Sequence, residues 1–298
     1  MLEAVPNVSE GRDVGAIEEI GRAFASQVAL LDVHADADHH RSVFTLVGEA
    51  SALAESLVAG ISRAVELVDL REHDGVHPRV GVADVVPIVA LAPTDREHAN
   101  EIARSLAQRI GTELGLAVFL YGEIGGGKRP AFFRRGGLAE LERRLEAGEL
   151  RSDAGPNRLD PRAGAVLVGA RAPLVAYNVD LVTDDVLIAA AIAAEVRESG
   201  GGMPGVQAIG LDLPRSGRVQ VSMNVLDLER SPLHEVLERV AREAGSRGIA
   251  IAGGELVGLV PGSVLEAATA AGSVVPGVVE TRTLEHALAL SSLSSGPP

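Results

Sequence analysis

The sequence predicts an α+β protein of two ferredoxin-like halves, each an antiparallel sheet covered by two helices on one face. Three observations carry this. Apolar residues recur at helical spacing in some segments and form short uninterrupted runs in others. The two kinds alternate as strand, helix, strand, strand, helix, strand from Leu2 to Leu91, and again from Leu174 to Val260. With 46% hydrophobic residues, 34 Gly and 15 Pro, the 298-residue chain is turn-rich and has core enough for one large domain or two medium ones. No residue-level repeat accompanies the second run, so the duplication is one of element order.

Leu2 to Val8 is a short strand ended by Pro6 and Asn7. Asp13 caps a helix whose Ile17, Ile20 and Phe24 share a face. Val28 to Val33 reads as a buried strand that opens into HADADHH, residues 34 to 40, and pairs with Ser42 to Val47. Ala50 to Leu67 is helical through Leu53, Leu57, Ile61 and Val65, and an apolar strand ends near Leu91. A helix from Thr94, Asp95 and Glu97 through Ile110 precedes the strand Leu116 to Tyr121 and the glycine-rich GEIGGGKRP, residues 122 to 130. After a charged helix from Leu138 to Leu145 come two apolar strands, Gly164 to Gly169 and Leu174 to Val179. Thr183 or Asp184 caps a helix through Val196, and strands Val206 to Leu213 and Arg218 to Val225 follow. Pro232 opens a helix. Short strands at Ile249 to Ile251 and Leu256 to Val260, a helix from Ser263, a closing helix from Glu280 to Leu290 and a fraying tail from Ser291 to Pro298 complete the chain. No Gly/Ser linker marks a boundary. We place it after Asn178, giving subdomains 1–178 and 179–298.

Composition excludes several classes of function. A formal charge of −14 and the scarcity of aromatics, with two Tyr, five Phe and no Trp, leave neither a basic field for duplex nucleic acid nor stacking platforms for single strands. The absence of cysteine rules out disulfides, thiolate catalysis and cysteine-ligated metals. The first residues have no basic n-region or apolar h-region, and no run of eighteen apolar residues follows, so a cytoplasmic location away from membranes is expected.

The stretch from Arg71 to Leu91, REHDGVHPRVGVADVVPIVAL, delivers His73, Asp74, His77 and Arg79 from a Gly- and Pro-broken loop to the start of a buried strand. His77 is the candidate base, because an imidazole exchanges a proton near neutrality, its ordinary pKa being about 6.5, and Pro78 restricts its backbone. Asp36, Asp38, His39 and His40 resemble metal ligands by type, but adjacent histidines on a strand point to opposite faces, and no metal is expected. Gly122, Gly127 and Lys128 satisfy most of a phosphate loop, yet Arg129 stands where the magnesium-binding hydroxyl belongs. The segment therefore reads as a glycine loop that offers Lys128 or Arg129 to an anionic substrate. Gln220, Ser222 and Asn224 fall on one face of a regular strand, and Asn178 lies in a neighbouring apolar element.

Taken together, VPNVSEGR (5 to 12), LLDVHADADHHRSVFTLVG (30 to 48), LREHDGVHPRVGVADVVPIV (70 to 89), LYGE (120 to 123), VGARAPLVAYNVDL (168 to 181), VQAIGLDL (206 to 213), VSMNVLD (221 to 227) and ELVGLVP (255 to 261) resemble the formiminotransferase family. The resemblance covers almost the whole chain. It implies two ferredoxin-like subdomains with a folate-binding cleft between them, a homodimer, and transfer of the formimino group of N-formimino-L-glutamate to N5 of tetrahydrofolate. The family's catalytic histidine maps onto His77. The cyclodeaminase-fused relatives carry aspartate where this chain has His34 and asparagine where it has His40, two departures in the same loop.

In that chemistry His77 moves the proton, and Asp74 or an aspartate of the 30s loop holds its tautomer. Asp36, Asp38, His40, Arg41, Arg79, Lys128 and Arg129 are the substrate-binding candidates, the cations because both substrates carry carboxylates. Asn178, Gln220, Ser222 and Asn224 are the folate-binding candidates. A separate cyclodeaminase is a partner to which the product is handed. The alternatives are a folate enzyme with another one-carbon donor, such as 5-formyltetrahydrofolate, and a folate-binding protein without turnover.

Overall fold

Pro6 interrupts the first strand, because proline offers no N–H to a sheet. On either side of it β1 (Leu2–Ala4) and β2 (Asn7–Val8) pair antiparallel with the same two neighbours, β4 (Arg41–Gly48) and β5 (Ala83–Val89). The Pro6 carbonyl still accepts from Phe44 N at 3.0 Å, so the strand path continues through the break. In this computed structural model, which describes residues 1–294, β3 (Ala29–Asp36) pairs with β4 at the sheet edge. The order β3, β4, β1/β2, β5 is the expected ferredoxin-like arrangement.

Helices α1 (Val14–Phe24) and α2 (Ala50–Leu67) cover one face. Asp13 accepts from Ala16 N and caps α1, as its position predicts. Phe24 is fully buried between Phe44, whose ring lies 5.1 Å away, and α2, where a Cβ at Gly60 would sit 1.9 Å from the Phe24 ring. The missing side chain lets the two helices close on that phenylalanine.

The first sheet does not stop at four strands. Through α3 (Arg96–Glu113) the chain crosses to β6 (Ala117–Tyr121), then passes α4 (Pro130–Arg134) and α5 (Gly137–Glu146) to β7 (Ala165–Arg171). β7 inserts between β5 and β6 and is parallel to both. The purely antiparallel sheet expected from the sequence is therefore extended by a parallel pair, which a helical crossover permits. α4 and α5 pack over this extension, burying Phe133, Leu141 and Leu145 against Phe119 and Leu167.

The chain divides between Ala172 and Pro173. A break after Asn178 would cut β8 (Val175–Leu181), which hydrogen-bonds along its length to β10 (Arg218–Val225) and β11 (Ile251–Val257), so the division lies earlier than expected. With β9 (Val206–Leu213), the second sheet runs β11, β8, β10, β9, all antiparallel. It repeats the ferredoxin-like order, with α6 (Val186–Val196) and α7 (Leu233–Ser246) as its helices. Asp185 caps α6 by accepting from Leu187 N, while Thr183, expected as a cap, accepts from Asp185 N. The two short strands expected at 249–251 and 256–260 are one strand, β11, whose register shifts between Ile251 and Gly253. α8 (Gly262–Ala270) follows, and the Tyr177 hydroxyl donates to Pro276 O at 2.8 Å, tying the segment after α8 to the sheet.

Of the expected closing helix, Glu280–Arg282 forms a separate 3-10 turn and α9 (Leu284–Ser294) the remainder. Of the fraying tail expected from Ser291 to Pro298, residues 291–294 belong to α9 instead, and 295–298 lie outside the described residues. Among the described residues no helix is long and apolar enough to cross a membrane.

Candidate active site

Three segments of the first unit, 7–13, 36–42 and 73–84, meet around the loop that the sequence singled out. Arg79 organises that loop from within. Its Nη1 donates to Gly75 O at 2.7 Å and His77 O at 3.1 Å, and its Nη2 to His73 O at 3.0 Å. The His73 ring donates from Nε2 to His40 O at 2.8 Å and accepts at Nδ1 from Gly75 N at 3.1 Å, which fixes a neutral tautomer. Burial pushes its pKa down to about 4, against the opposing pull of the His40 carbonyl. A Cβ at Gly75 would lie 2.4 Å from His39 O, so the loop closes this tightly only with glycine.

His40 sits in the left-handed region at φ 51° and stacks on His73, the ring centroids 4.1 Å apart. Its Nε2 lies 3.1 Å from Glu10 Oε1, and the same oxygen accepts from Arg12 N and Asp13 N. Burial lowers the pKa of His40 more than Glu10 raises it. His40 thus joins all three segments.

At the centre, β4 and β5 bring together Arg41 and Asp84. Arg41 donates from Nη1 to Asp84 Oδ2 at 2.5 Å and from Nε to Asn7 Oδ1 at 2.9 Å. Arg134, at the end of α4, donates to the same Asp84 oxygen, and Val80 N donates to Oδ1 at 2.7 Å. Asp84 is fully buried, and burial alone would push its carboxyl up. The Arg134 and Arg41 charges, the Arg41 hydrogen bond and the Val80 N–H outweigh that and hold it below the usual carboxylate range. Arg41, desolvated and repelled by Arg134, is lowered to about 10 despite Asp84.

His77 lies against this cluster, with Nδ1 2.8 Å from Pro78 O and 3.3 Å from Arg41 Nη1. One nitrogen does not donate to the carbonyl and accept from the guanidinium at once. The shorter contact, to a carbonyl that can only accept, selects the Nδ1–H tautomer, and it leaves Nε2 with its lone pair. Burial first, then the Arg41 and Arg134 charges, hold the imidazole well below its ordinary pKa. At neutral pH it is an uncharged base.

The other residues expected at the site are placed as follows. Asp74 pairs with Arg12 and lies 3.6 Å from His40 Nδ1. The orienting bond to His77 that the sequence gave to an aspartate comes instead from the Pro78 carbonyl. Asp36 accepts from His39 N at 2.6 Å, and the Asp38 carbonyl accepts from Val76 N at 3.1 Å, so both shape the loop. Lys128 and Arg129 are exposed. The N–H groups of Gly122, Gly125, Gly126, Gly127 and Lys128 all donate to carbonyls of their own loop, and a phosphate cradle is not formed. That loop instead leads into α4 and Arg134.

On the second sheet Ser222 is opposite Asn178, Gln220 opposite Asp180 and Asn224 opposite Ala176, which puts the four folate candidates on one face. Two carboxylates not expected there join them. Gln220 donates to Asp180 at 2.9 Å, and Asn178 donates to Glu255 at 3.4 Å. Sequence reasoning also passed over Asp84, Arg134, Glu10 and Arg12. The one local signal was Asp84 itself, a carboxylate inside the apolar run VGVADVVPIV.

An uncharged histidine beside desolvated guanidiniums, set on ferredoxin-like α+β units, is an arrangement suited to proton transfer on an anionic substrate. Comparison narrows the class. The pattern of the formiminotransferase domain's N-terminal subdomain matches residues 1–171, and that of the formiminotransferase domain matches residues 176–272. The glutamate formimidoyltransferase of Streptococcus pyogenes serotype M1 is 38% identical over 272 residues, 89% of this chain and 90% of that protein. That of Thermoplasma acidophilum is 38% identical over 274 residues, 89% of each. The formimidoyltransferase-cyclodeaminase of Gallus gallus is 40% identical over 273 residues, 88% of this chain but 50% of that protein. The chain belongs to the formiminotransferase family.

Proposed function

We propose that the chain transfers the formimino group of N-formimino-L-glutamate to N5 of tetrahydrofolate, releasing L-glutamate, with His77 as the single general acid/base. Two relatives named glutamate formimidoyltransferase, each matched over nearly its whole length, support the reaction. The observation that carries the role of His77 is its geometry. Nδ1 is committed to Pro78 O, Nε2 is left as the base, and burial, aided by the neighbouring Arg41 and Arg134, keeps the ring neutral.

The protonated amidine carbon is electrophilic, and tetrahydrofolate N5 attacks it to form a tetrahedral centre carrying three nitrogens. His77 Nε2 takes the proton from N5 and returns it to the glutamate nitrogen. The carbon–nitrogen bond to glutamate then breaks, leaving the amidine on N5. One bond forms, one breaks and one proton moves between the two nitrogens, so the balance closes with no covalent enzyme intermediate. An imidazolium next to two guanidiniums is disfavoured, which hastens the second transfer. Holding both reactants in place supplies several kcal/mol more.

The amides and hydroxyl of Asn178, Gln220, Ser222 and Asn224 are assigned to tetrahydrofolate, whose pterin presents paired donors and acceptors. The formimino product passes to a separate cyclodeaminase, and the active assembly is a homodimer.

The test is glutamate release from purified protein given N-formimino-L-glutamate, with and without tetrahydrofolate. Release that depends on tetrahydrofolate and falls by about 10²- to 10⁴-fold in His77→Ala is expected. Folate binding without release points to another donor or to a binding protein. An undiminished mutant moves the proton transfer to another residue.

A further inference from the structure

The charges at the centre of the first unit do not balance. Asp84 is one carboxylate held by two guanidiniums, Arg41 and Arg134, whose side chains are only 11% and 15% exposed. Among the described residues Asp84 is the one acid that pairs with either of them, and the buried Nε of Arg134 finds no acceptor. The adjacent histidine contributes no compensating negative charge, and Arg79 adds a further positive charge near Arg41. A desolvated cationic centre with an idle donor costs free energy in the empty protein, and an arriving anion removes that cost.

Position selects which anion. Arg41 Nη1 is 3.3 Å from His77 Nδ1, so a group bound to the arginine pair lies against the same imidazole whose Nε2 is assigned the proton transfer. In N-formimino-L-glutamate the leaving nitrogen is on the α-carbon, and the α-carboxylate is two bonds away from that nitrogen. The side-chain carboxylate and the glutamate tail of folate lie farther from the reacting atoms.

We infer that Arg134, together with Arg41, is the receptor for the α-carboxylate of the formimino donor, with Asp84 holding the two guanidiniums in position. The inference rests on the proposed transferase reading and deepens it. Carboxylate binding supplies the missing negative charge, gives Arg134 Nε a partner, and anchors the donor so that its leaving nitrogen meets His77. It also makes the enzyme select α-amino-acid donors by a contact formed before chemistry. The glycine loop at 122–129 then has a role that does not depend on Lys128 or Arg129, which is to deliver α4 and Arg134 to the cluster.

The test is calorimetric binding of two unreactive donor analogues, N-formyl-L-glutamate and N-formyl-4-aminobutyrate, which differ only in the α-carboxylate. The wild-type protein, Arg134→Gln and Arg134→Lys are compared. The wild type is expected to prefer the first analogue by about tenfold to a hundredfold, the size of a charge-assisted contact. Arg134→Gln is expected to abolish that preference while leaving the weak binding of the second analogue within about threefold, and Arg134→Lys to keep part of the preference. Equal binding of the two analogues by the wild type, or an undiminished preference in Arg134→Gln, overturns the inference. So does loss of both analogues together in Arg134→Gln and Arg134→Lys, because a purely structural arginine would behave that way. Binding is read without turnover. A protein that shows the preference but releases no glutamate defeats the transferase reading and leaves the receptor standing.

Discussion

The two units share a strand order but differ in how their buried polar groups are matched. In the second, Asp180 meets Arg218 and Gln220, one carboxylate against one guanidinium and one amide. In the first, Asp84 meets two guanidiniums beside a neutral histidine. The first network has an excess of positive charge and a donor without a partner, which is a disposition for binding an anion, whereas the second is balanced as it stands. Loop length separates them too. Between its second helix and the next strand the first unit inserts the whole segment 68–82, while the second needs only 247–250. Equivalent folds therefore carry unequal chemistry because function is carried by loops and by charge balance rather than by the sheet itself.

The sharpest way to break this comparison is to remove the carboxylate from each network. Asp84→Asn strands two desolvated guanidiniums and is expected to cost about 3–5 kcal/mol of folding stability. Asp180→Asn, whose Arg218 partner is largely exposed, is expected to cost about 1 kcal/mol or less. Urea unfolding of both variants measures the gap, and equal losses would mean that the two networks are equally matched.

A smaller effect tests the apolar side of the first unit. Gly60→Ala forces a methyl group into the Phe24 ring and is expected to destabilise by about 1–3 kcal/mol in the same assay. Stability unchanged within error would mean that α1 and α2 shift apart freely.

Acid sharpens the comparison further. His73 titrates at about 4 in the folded chain and at about 6.5 when unfolded, so the unfolded state binds the extra proton between those values. Stability is therefore full above about pH 6.5 and declines as pH falls toward 4, by about 1–2 kcal/mol at pH 5 from this group. His40 and His77 are lowered as well and act in the same direction. Unfolding at pH 7.5 and pH 5 in the wild type and in His73→Asn measures this, and an identical pH slope in the two would remove His73 as its source. The smallest expected effect has the opposite sign. Gly245 lies inside α7 with open space around its Cα, so Gly245→Ala should stabilise by about 0.5–1 kcal/mol and leave glutamate release unchanged.

Much of this molecule was legible from local pattern. Apolar periodicity placed α1, α2 and β4 within a few residues, Asp13 announced its cap, and the alternation along 218–224 put Gln220, Ser222 and Asn224 on one face. The His77 loop stood out because Gly, Pro and ionisable residues crowd in front of an apolar strand. Such signals survive in a sequence because they depend on residues a turn or a pleat apart. The partners of that loop did not stand out. Asp84 reads as an oddity in a strand until Arg41, 43 residues away, and Arg134, 50 residues away, are brought against it. Arg134 had no mark that separated it from Arg135, its neighbour in sequence.

The sequence by itself determined the order of most elements, the family and the loop that carries His77, the proposed base. Tertiary structure decided that β7 enters between β5 and β6, that Arg79 is spent on its own loop, that Pro78 rather than an aspartate orients His77, and that two arginines share one carboxylate. The reason is physical. Propensity and periodicity act between near neighbours, whereas a pKa, a tautomer or an unmet charge depends on which distant groups share a desolvated volume.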